Sequence, residues 1–189
     1  LASNSKNVIT LGVIADTHVP DRRRRLDARI LPILRSEGVQ AILHAGDVSS
    51  PEVLTDIENV APIYAVRGNR DWFLLRHLPK DLVLEFNTVK IGLTHGHGGW
   101  INYLKDRPDF FLHGYYHDRL LPRLRAQFPR ANVIVFGHGH LPLNRWIDGQ
   151  LFFNPGSPHF SARRDVLPSL GFLRIKPGGE VCGEIVFLD

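Results

Sequence analysis

The sequence predicts an α/β fold built from two sheets, each flanked by helices, and three observations lead there. Five apolar runs, at residues 8–15, 41–43, 63–66, 91–93 and 133–136, are rich in Val, Ile and Leu, as strands buried on both faces must be. Strand and helix patterns alternate through the first half of the chain, whereas strand follows strand in the second. Each apolar run also ends on a short polar signature: Asp16-Thr17-His18, Gly46-Asp47, Gly68-Asn69-Arg70-Asp71, His95-Gly96-His97 and Gly137-His138-Gly139-His140. Ligands of open α/β sheets gather beyond the carboxyl ends of the strands, so these tips are expected to converge on one crevice.

The elements follow in order. After the first strand, Leu26, Ile30, Ile33 and Leu34 form a helical stripe over 26–37 that stops before Gly38. The next helix opens on Ser50-Pro51-Glu52: Ser50 can cap, Pro51 suits the first helical position, and Val53, Leu54 and Ile57 follow at helical spacing. Asp148-Gly149 separates apolar runs at 143–147 and 150–153, a two-residue hairpin signal resting on the positive φ that Gly accepts. Pro177-Gly178-Gly179 turns the last strand pair in the same way. There is no internal repeat and no low-complexity segment.

The 189 residues, 43% hydrophobic and 22% charged, suit one domain with a real core, read here as 8–189. Residues 1–7 are expected to be a disordered tail or an expression scar, because Leu1-Ala2-Ser3-Asn4-Ser5 lacks an initiator Met and a signal-peptide pattern. A formal charge of +4 favours anionic substrates but calls for no long nucleic acid. No apolar stretch reaches the roughly 20 residues that span a bilayer, so no membrane role is expected. The lone Cys182 excludes an internal disulfide and points to a reducing compartment, hence the cytoplasm.

The strand tips carry Asp, His and Asn but no Cys. Oxygen donors mixed with imidazole suit a borderline divalent metal such as Mn, Fe, Co, Ni or Zn and disfavour a thiolate cluster. Gly46, Gly68, Gly96, Gly137 and Gly139 beside them either let backbone approach a phosphate or are plain turn residues.

The order Asp-x-His, Gly-Asp, Gly-Asn-x-Asp, His-Gly-His and Gly-His-x-His resembles the calcineurin-like metallophosphoesterase superfamily, in particular its small single-domain phosphodiesterase branch. Leu43-His44-Ala45-Gly46-Asp47, Ala65-Val66-Arg67-Gly68-Asn69 and Asn154-Pro155-Gly156-Ser157 are similar to that branch in wording as well as spacing. The resemblance covers nearly the whole chain, about 8–188. It implies a four-layer fold, two mixed sheets packed as a sandwich with helices outside. It also implies hydrolysis of phosphodiesters or nucleotide-like phosphate esters at a pair of divalent metal ions, with a bridging hydroxide as nucleophile. Asp16, His18, Asp47 and His140 would hold one ion, and Asp47, Asn69, His95 and His138 the other, with Asp47 shared so that its charge offsets the repulsion between the cations. The scaffold role of the retromer subunit of this fold is the alternative that the resemblance also carries.

Three further residues complete the candidate catalytic set. His97 lies two residues after His95 and is expected near the same cleft, to orient substrate or donate a proton. Arg70 stands where the wider superfamily often has a His that protonates the leaving group; it either grips a phosphate oxygen or forms an ion pair with Asp71. Asp71 closes the same signature. Arg22 to Arg25 form a basic run read as a solvated helix start or a polyanion contact. Between His97 and Ala131 an insertion, about 99–131, carries Trp100, Tyr103, Phe110, Phe111, Tyr115 and Tyr116, a lid, the packing of an extra helix, or a homodimer surface. His113 and His117 would share a helix face without a third ligand nearby. Arg163 and Arg164 face either substrate phosphate or solvent, and Asn154-Pro155-Gly156-Ser157-Pro158 is expected to support the site as a rigid turn.

Overall fold

Ten strands sort into two five-stranded sheets in a computed structural model that describes residues 7–98 and 117–189. In chain order these are β1 (Ile9–Ile14), β2 (Ala41–His44), β3 (Ile63–Ala65), β4 (Asp81–Phe86), β5 (Val89–Thr94), β6 (Val133–Val135), β7 (Pro142–Ile147), β8 (Gln150–Pro155), β9 (Ser169–Ile175) and β10 (Val181–Phe187). Three α-helices accompany them among the described residues, α1 (Ile30–Ser36), α2 (Pro51–Glu58) and α3 (Leu121–Gln127), with a 3-10 turn at His117–Arg119. One sheet runs β10-β9-β1-β2-β3 and the other β4-β5-β6-β8-β7. Both are mixed: β1, β2 and β3 are mutually parallel, as are β5, β6 and β8, while β9, β10, β4 and β7 join antiparallel.

The period of two along each strand builds the layers. Leu11, Val13 and Ala15 point inward with Leu43, Leu93, Val135 and Phe153 to form the core between the sheets. Ile14 and Ile42 face the other way, onto Ile30 and Leu34 of α1 and Val53 and Ile57 of α2. Ile134, Phe136 and Phe152 do the same for the second sheet, under Leu121 and Leu124 of α3. The expected four-layer arrangement is therefore present.

The Asp148-Gly149 hairpin forms as read, with both residues at positive φ and Ile147 opposite Gln150. Ser50 occupies the cap position of α2 in extended backbone with Pro51 first in the helix, although its hydroxyl makes no capping bond. The first helix is shorter than its stripe. Pro32 is tolerated only in a first turn, since its ring collides with the carbonyl four residues back, so α1 begins at Ile30 and Leu26 packs on the core from a loop. Arg22 to Arg25 accordingly lie in turns and bends rather than at a helix start. Strand β4 was not anticipated; it pairs with β5 across Asn87-Thr88 and turns Leu82, Leu84 and Phe86 toward the inter-sheet core. Within the 99–131 segment, Trp100, Tyr103, Phe110, Phe111, His113, Tyr115 and Tyr116 lie outside the described residues, as do residues 1–6. No helix among the described residues is long and apolar enough to cross a membrane.

Candidate metal centre

The carboxyl ends of β1, β2, β3, β5 and β6 all open on one side, and backbone bonds stitch the loops that leave them. Asp16 N–H donates to Gly46 O at 2.9 Å, His18 N–H to Asp47 O at 3.0 Å, and Gly137 N–H to His95 O at 3.2 Å. The chain turns back sharply at three of these tips: Asp16 and His18 after β1, Asp47 after β2, and His138 and His140 after β6 have φ of 55°, 48°, 53°, 70° and 51°. For residues other than Gly such backbone is strained by about 1–3 kcal/mol each and persists only where the surroundings over-determine it. Two glycines make the close approach feasible. A Cβ on Gly68 would fall 2.7 Å from Asp47 Cγ, and one on Gly137 would fall 2.9 Å from Asp16 Oδ2. These glycines make room for ligand carboxylates.

The side chains at these tips lie close together. Asp47 Oδ2 lies 3.6 Å from His18 Nε2 and 3.5 Å from His95 Nε2, so a single carboxylate oxygen sits between the two halves of the site. On one side Asp16 Oδ1 is 3.2 Å from His140 Nε2 and 3.8 Å from His18 Nε2, and the two imidazole Nε2 atoms are 3.3 Å apart. On the other side His95 Nε2 is 3.1 Å from Asn69 Oδ1, and the His138 ring centroid lies 5.1 Å from that of His95. Asp16, His18 and His140, and separately Asp16, Asp47 and His95, each bring three donor atoms within 4.8 Å of one another. The hydrogen bonds around them set orientation: His95 Nδ1 contacts Ala45 O at 2.8 Å, Arg70 N–H donates to Asp47 Oδ1 at 2.8 Å, and His138 N–H donates to Asp16 Oδ2 at 2.9 Å.

Two buried carboxylates set the electrostatics of this pocket. Burial alone would raise the Asp16 carboxyl, but the His140 and His95 imidazoles outweigh it and hold it below its ordinary value. Asp47 is lowered in the same way, burial being overcome by His95 and His18. Burial would strip the proton from His95, yet the Asp47 and Asp16 carboxylates raise it to about 10. His18 and His138 go the other way: burial lowers them to about 4 and about 3, leaving neutral rings. Asp16 Oδ1, fully buried, has no aligned hydrogen-bond donor. The neutral His18 and His138 rings, two buried carboxylates and an Asp16 oxygen without an aligned donor fit divalent cations, which would take the place of the proton that His95 carries here.

The remaining candidates fall into place unevenly. The His97 ring centroid is 5.3 Å from that of His95 and 6.2 Å from that of His138, and burial with the His95 charge lowers His97 to about 4. Arg70 pairs with Asp21 at 3.3 Å rather than with Asp71. The Asp71 carboxylate instead accepts backbone N–H bonds from Gly68 at 2.7 Å, Ser49 at 2.8 Å and Val48 at 3.4 Å, tying the Asp47 loop to the Asn69 loop. Asn154 Nδ2 donates to Gly137 O and Ser157 Oγ to Asp16 O, so their turn does brace the site. Arg163 is paired with Asp165 on the surface, and Arg164 is exposed. His117 packs edge-on against Phe136.

Two groups went unread in the sequence. Phe160 packs against the His140 and His18 rings, edge-on and tilted, with centroids 4.5 and 5.6 Å away, the Arg22 guanidinium lies 4.9 Å from the Phe160 ring centroid, and no spacing rule ties 160 to 18. Trp72, Phe73 and Leu74, directly after the Gly68-Asn69-Arg70-Asp71 signature, stand exposed at the rim. An unbroken apolar triplet after a polar signature was the available signal.

A two-sheet sandwich with Asp, Asn and His donors at its strand ends defines a metallophosphoesterase-type protein. A family profile described as the calcineurin-like phosphoesterase superfamily domain matches residues 9–176, and the chain belongs to this superfamily, whose members bind divalent metals. It is 34% identical over 176 residues to a probable metallophosphoesterase of Methanothermobacter thermautotrophicus, covering 93% of this chain and 91% of that one. It is 27% identical over 161 residues to a phosphodiesterase of Methanocaldococcus jannaschii, covering 77% and 82% of the two chains. Among solved structures, vacuolar protein sorting 29 of Entamoeba histolytica complexed with zinc matches with a TM-score of 0.70 at 23% identity, over 96% of this chain and 100% of that one. That likeness shows the fold.

Proposed function

We propose that this protein is a metal-dependent phosphoesterase that hydrolyses phosphodiesters or nucleotide-like phosphate esters at a dinuclear centre. The observation that carries the reading is Asp47 Oδ2, placed within 3.6 Å of His18 Nε2 and 3.5 Å of His95 Nε2, where one carboxylate can serve two cations. Asp16, His18, Asp47 and His140 would hold one ion, and Asp47, Asn69, His95 and His138 the second, drawn from Mn, Fe, Co, Ni or Zn. Bound there, the ions supply Lewis acidity toward phosphate oxygens and make hydroxide available near neutral pH.

The chain's own groups do the rest. Asp16 and Asp47 bring fixed negative charge into a dry pocket, and their backbone bonds from His138 and Arg70 hold them in place. Arg70, exposed at the rim, presents a planar fork to a phosphate oxygen. His97, neutral at pH 7, can orient substrate in the cleft through its ring nitrogens. Asp71 acts as a positioning residue through the three backbone N–H groups it holds. The exposed lone thiol of Cys182 suits a reducing, cytoplasmic setting.

The test is hydrolysis of bis(p-nitrophenyl) phosphate by metal-stripped protein reloaded with Mn, Co, Ni or Zn. Turnover should appear only with metal and vanish in Asp47→Ala. The interaction scaffold takes over if no metal restores turnover and Asp47→Ala binds metal like the parent.

A further inference from the structure

A groove of about 760 Å³ opens beside the metal centre, within the size range of small-molecule sites. Asn69 belongs to both: it lines the groove, and its Oδ1 lies 3.1 Å from His95 Nε2. An ester whose phosphate sits at the centre therefore reaches the groove with its next few atoms. Arg70 marks the charged end, its backbone N–H on Asp47 Oδ1 and its guanidinium 3.3 Å from Asp21. Beyond it the lining turns apolar, through Trp72, Phe73, Leu74 and Pro20.

That lining is unusual for a surface. Trp72, Phe73 and Leu74 are three consecutive large apolar side chains exposed to 39%, 92% and 62%. Large apolar side chains exposed side by side mark ligand-binding grooves. Trp72 is also braced: the Arg67 guanidinium lies 5.3 Å from its ring centroid, and Arg67 Nη1 is itself fixed by a 2.7 Å bond to Arg76 O. A braced indole loses little freedom when a ligand stacks on it.

A centre that would hold phosphate at one end, the Arg70–Asp21 pair at the boundary and two aromatic side chains consecutive in sequence at the other end match the layout of phosphate, sugar and base. We infer that the groove seats the base of a nucleoside phosphate on Trp72 and Phe73, which makes nucleoside phosphate esters the substrate class; this rests on the phosphoesterase reading above. Stacking a base on an aromatic side chain is sequence-tolerant, so the subsite selects for a base without choosing strongly among bases.

The experiment is calorimetric titration of the full chain, metal-free and Mn-loaded, with adenosine 5′-monophosphate and with ribose 5-phosphate, which carries a hydroxyl in place of the base. The parent should bind the nucleotide at least about tenfold more tightly, and Phe73→Ala and Trp72→Ala should each shrink that ratio to below about threefold. Phe73 is almost wholly in solvent, so its truncation leaves the folded protein intact, which a thermal melt verifies. Equal affinities in the parent, or a ratio that survives both substitutions, overturn the subsite. Bis(p-nitrophenyl) phosphate hydrolysis on the same preparations separates the two claims: turnover without base discrimination removes the subsite alone, and discrimination without turnover removes the phosphoesterase reading alone.

Discussion

Gly68→Ala probes how tightly the fold holds the shared carboxylate. The new Cβ would lie 2.7 Å from Asp47 Cγ and closer still to Asp47 Oδ1 and its backbone N, well inside the 3.4 Å at which ordinary contact begins. Because the backbone N is among the atoms struck, rotation of the Asp47 side chain cannot relieve the collision, and the two loops must part by about 1 Å, a displacement worth about 10²-fold in rate at a reacting centre. Gly68 does not have positive φ, so alanine adds no backbone strain of its own. Overpacking of this kind costs about 1–3 kcal/mol, or roughly 2–12 °C in Tm for a chain of this length. Gly178→Ala is the control, since a Cβ there meets nothing within 4 Å. Calorimetric Mn titration, bis(p-nitrophenyl) phosphate turnover and a thermal melt read the three effects. A folded Gly68→Ala protein with parental Mn affinity and parental kcat/KM would refute the view that Asp47 is confined between these loops.

Asp71→Asn must turn an NH2 group toward at least one of the backbone donors that the carboxylate now accepts, leaving a buried N–H unpaired at about 1–3 kcal/mol; Tm should fall by roughly 2–12 °C and Mn affinity with it, and an unchanged melt would remove the positioning role. His44, fully buried against Thr17, is lowered by burial from 6.5 to about 4, so between those values the unfolded chain binds a proton that the folded chain refuses. Stability from this group is thus complete above about pH 6.5 and drains away as pH falls toward 4, by an amount of the order of 3 kcal/mol. Urea midpoints of metal-free parent and His44→Gln should converge on acidification through this window, and parallel pH profiles would contradict the assignment.

Much of the site was legible because its chemistry is local. Each donor follows an apolar run directly, and the end of a parallel strand is where such a run must deliver it. What could not be read depends on partners without a sequence trace. Asp71 was paired with Arg70 by adjacency, whereas its real partners are three backbone N–H groups, which every residue type except Pro carries. Phe160 reaches His18 across the whole chain by way of a loop. Strand β4 hid because Val83, exposed at 66%, sits on the outward face between Asp81 and Glu85 and joins Leu82 to Leu84 in an apolar run that masks the alternation. In α1 a local rule, Pro32, overrode the apolar stripe, and the sequence contained both signals.

The distribution of backbone strain bears on whether the centre acts or merely survives. Eight non-glycine residues among those described have positive φ, and Asn87 and Asp148 are hairpin residues of types that tolerate it. The other six are Asp16, His18, Asp47, Ser49, His138 and His140, all in the strand-end loops. Glycine at any of them would relieve strain but remove a donor or, at Ser49, a side chain beside the Asp71 anchor. Strain of this size in the loops after β1, β2 and β6, added to two buried carboxylates, lowers the stability of the metal-free fold at the very place where cations would restore it. An interaction surface elsewhere on the sandwich gains nothing from that arrangement, because its partner would touch none of these atoms; a centre that must hold two cations rigidly at fixed spacing gains its geometry from it.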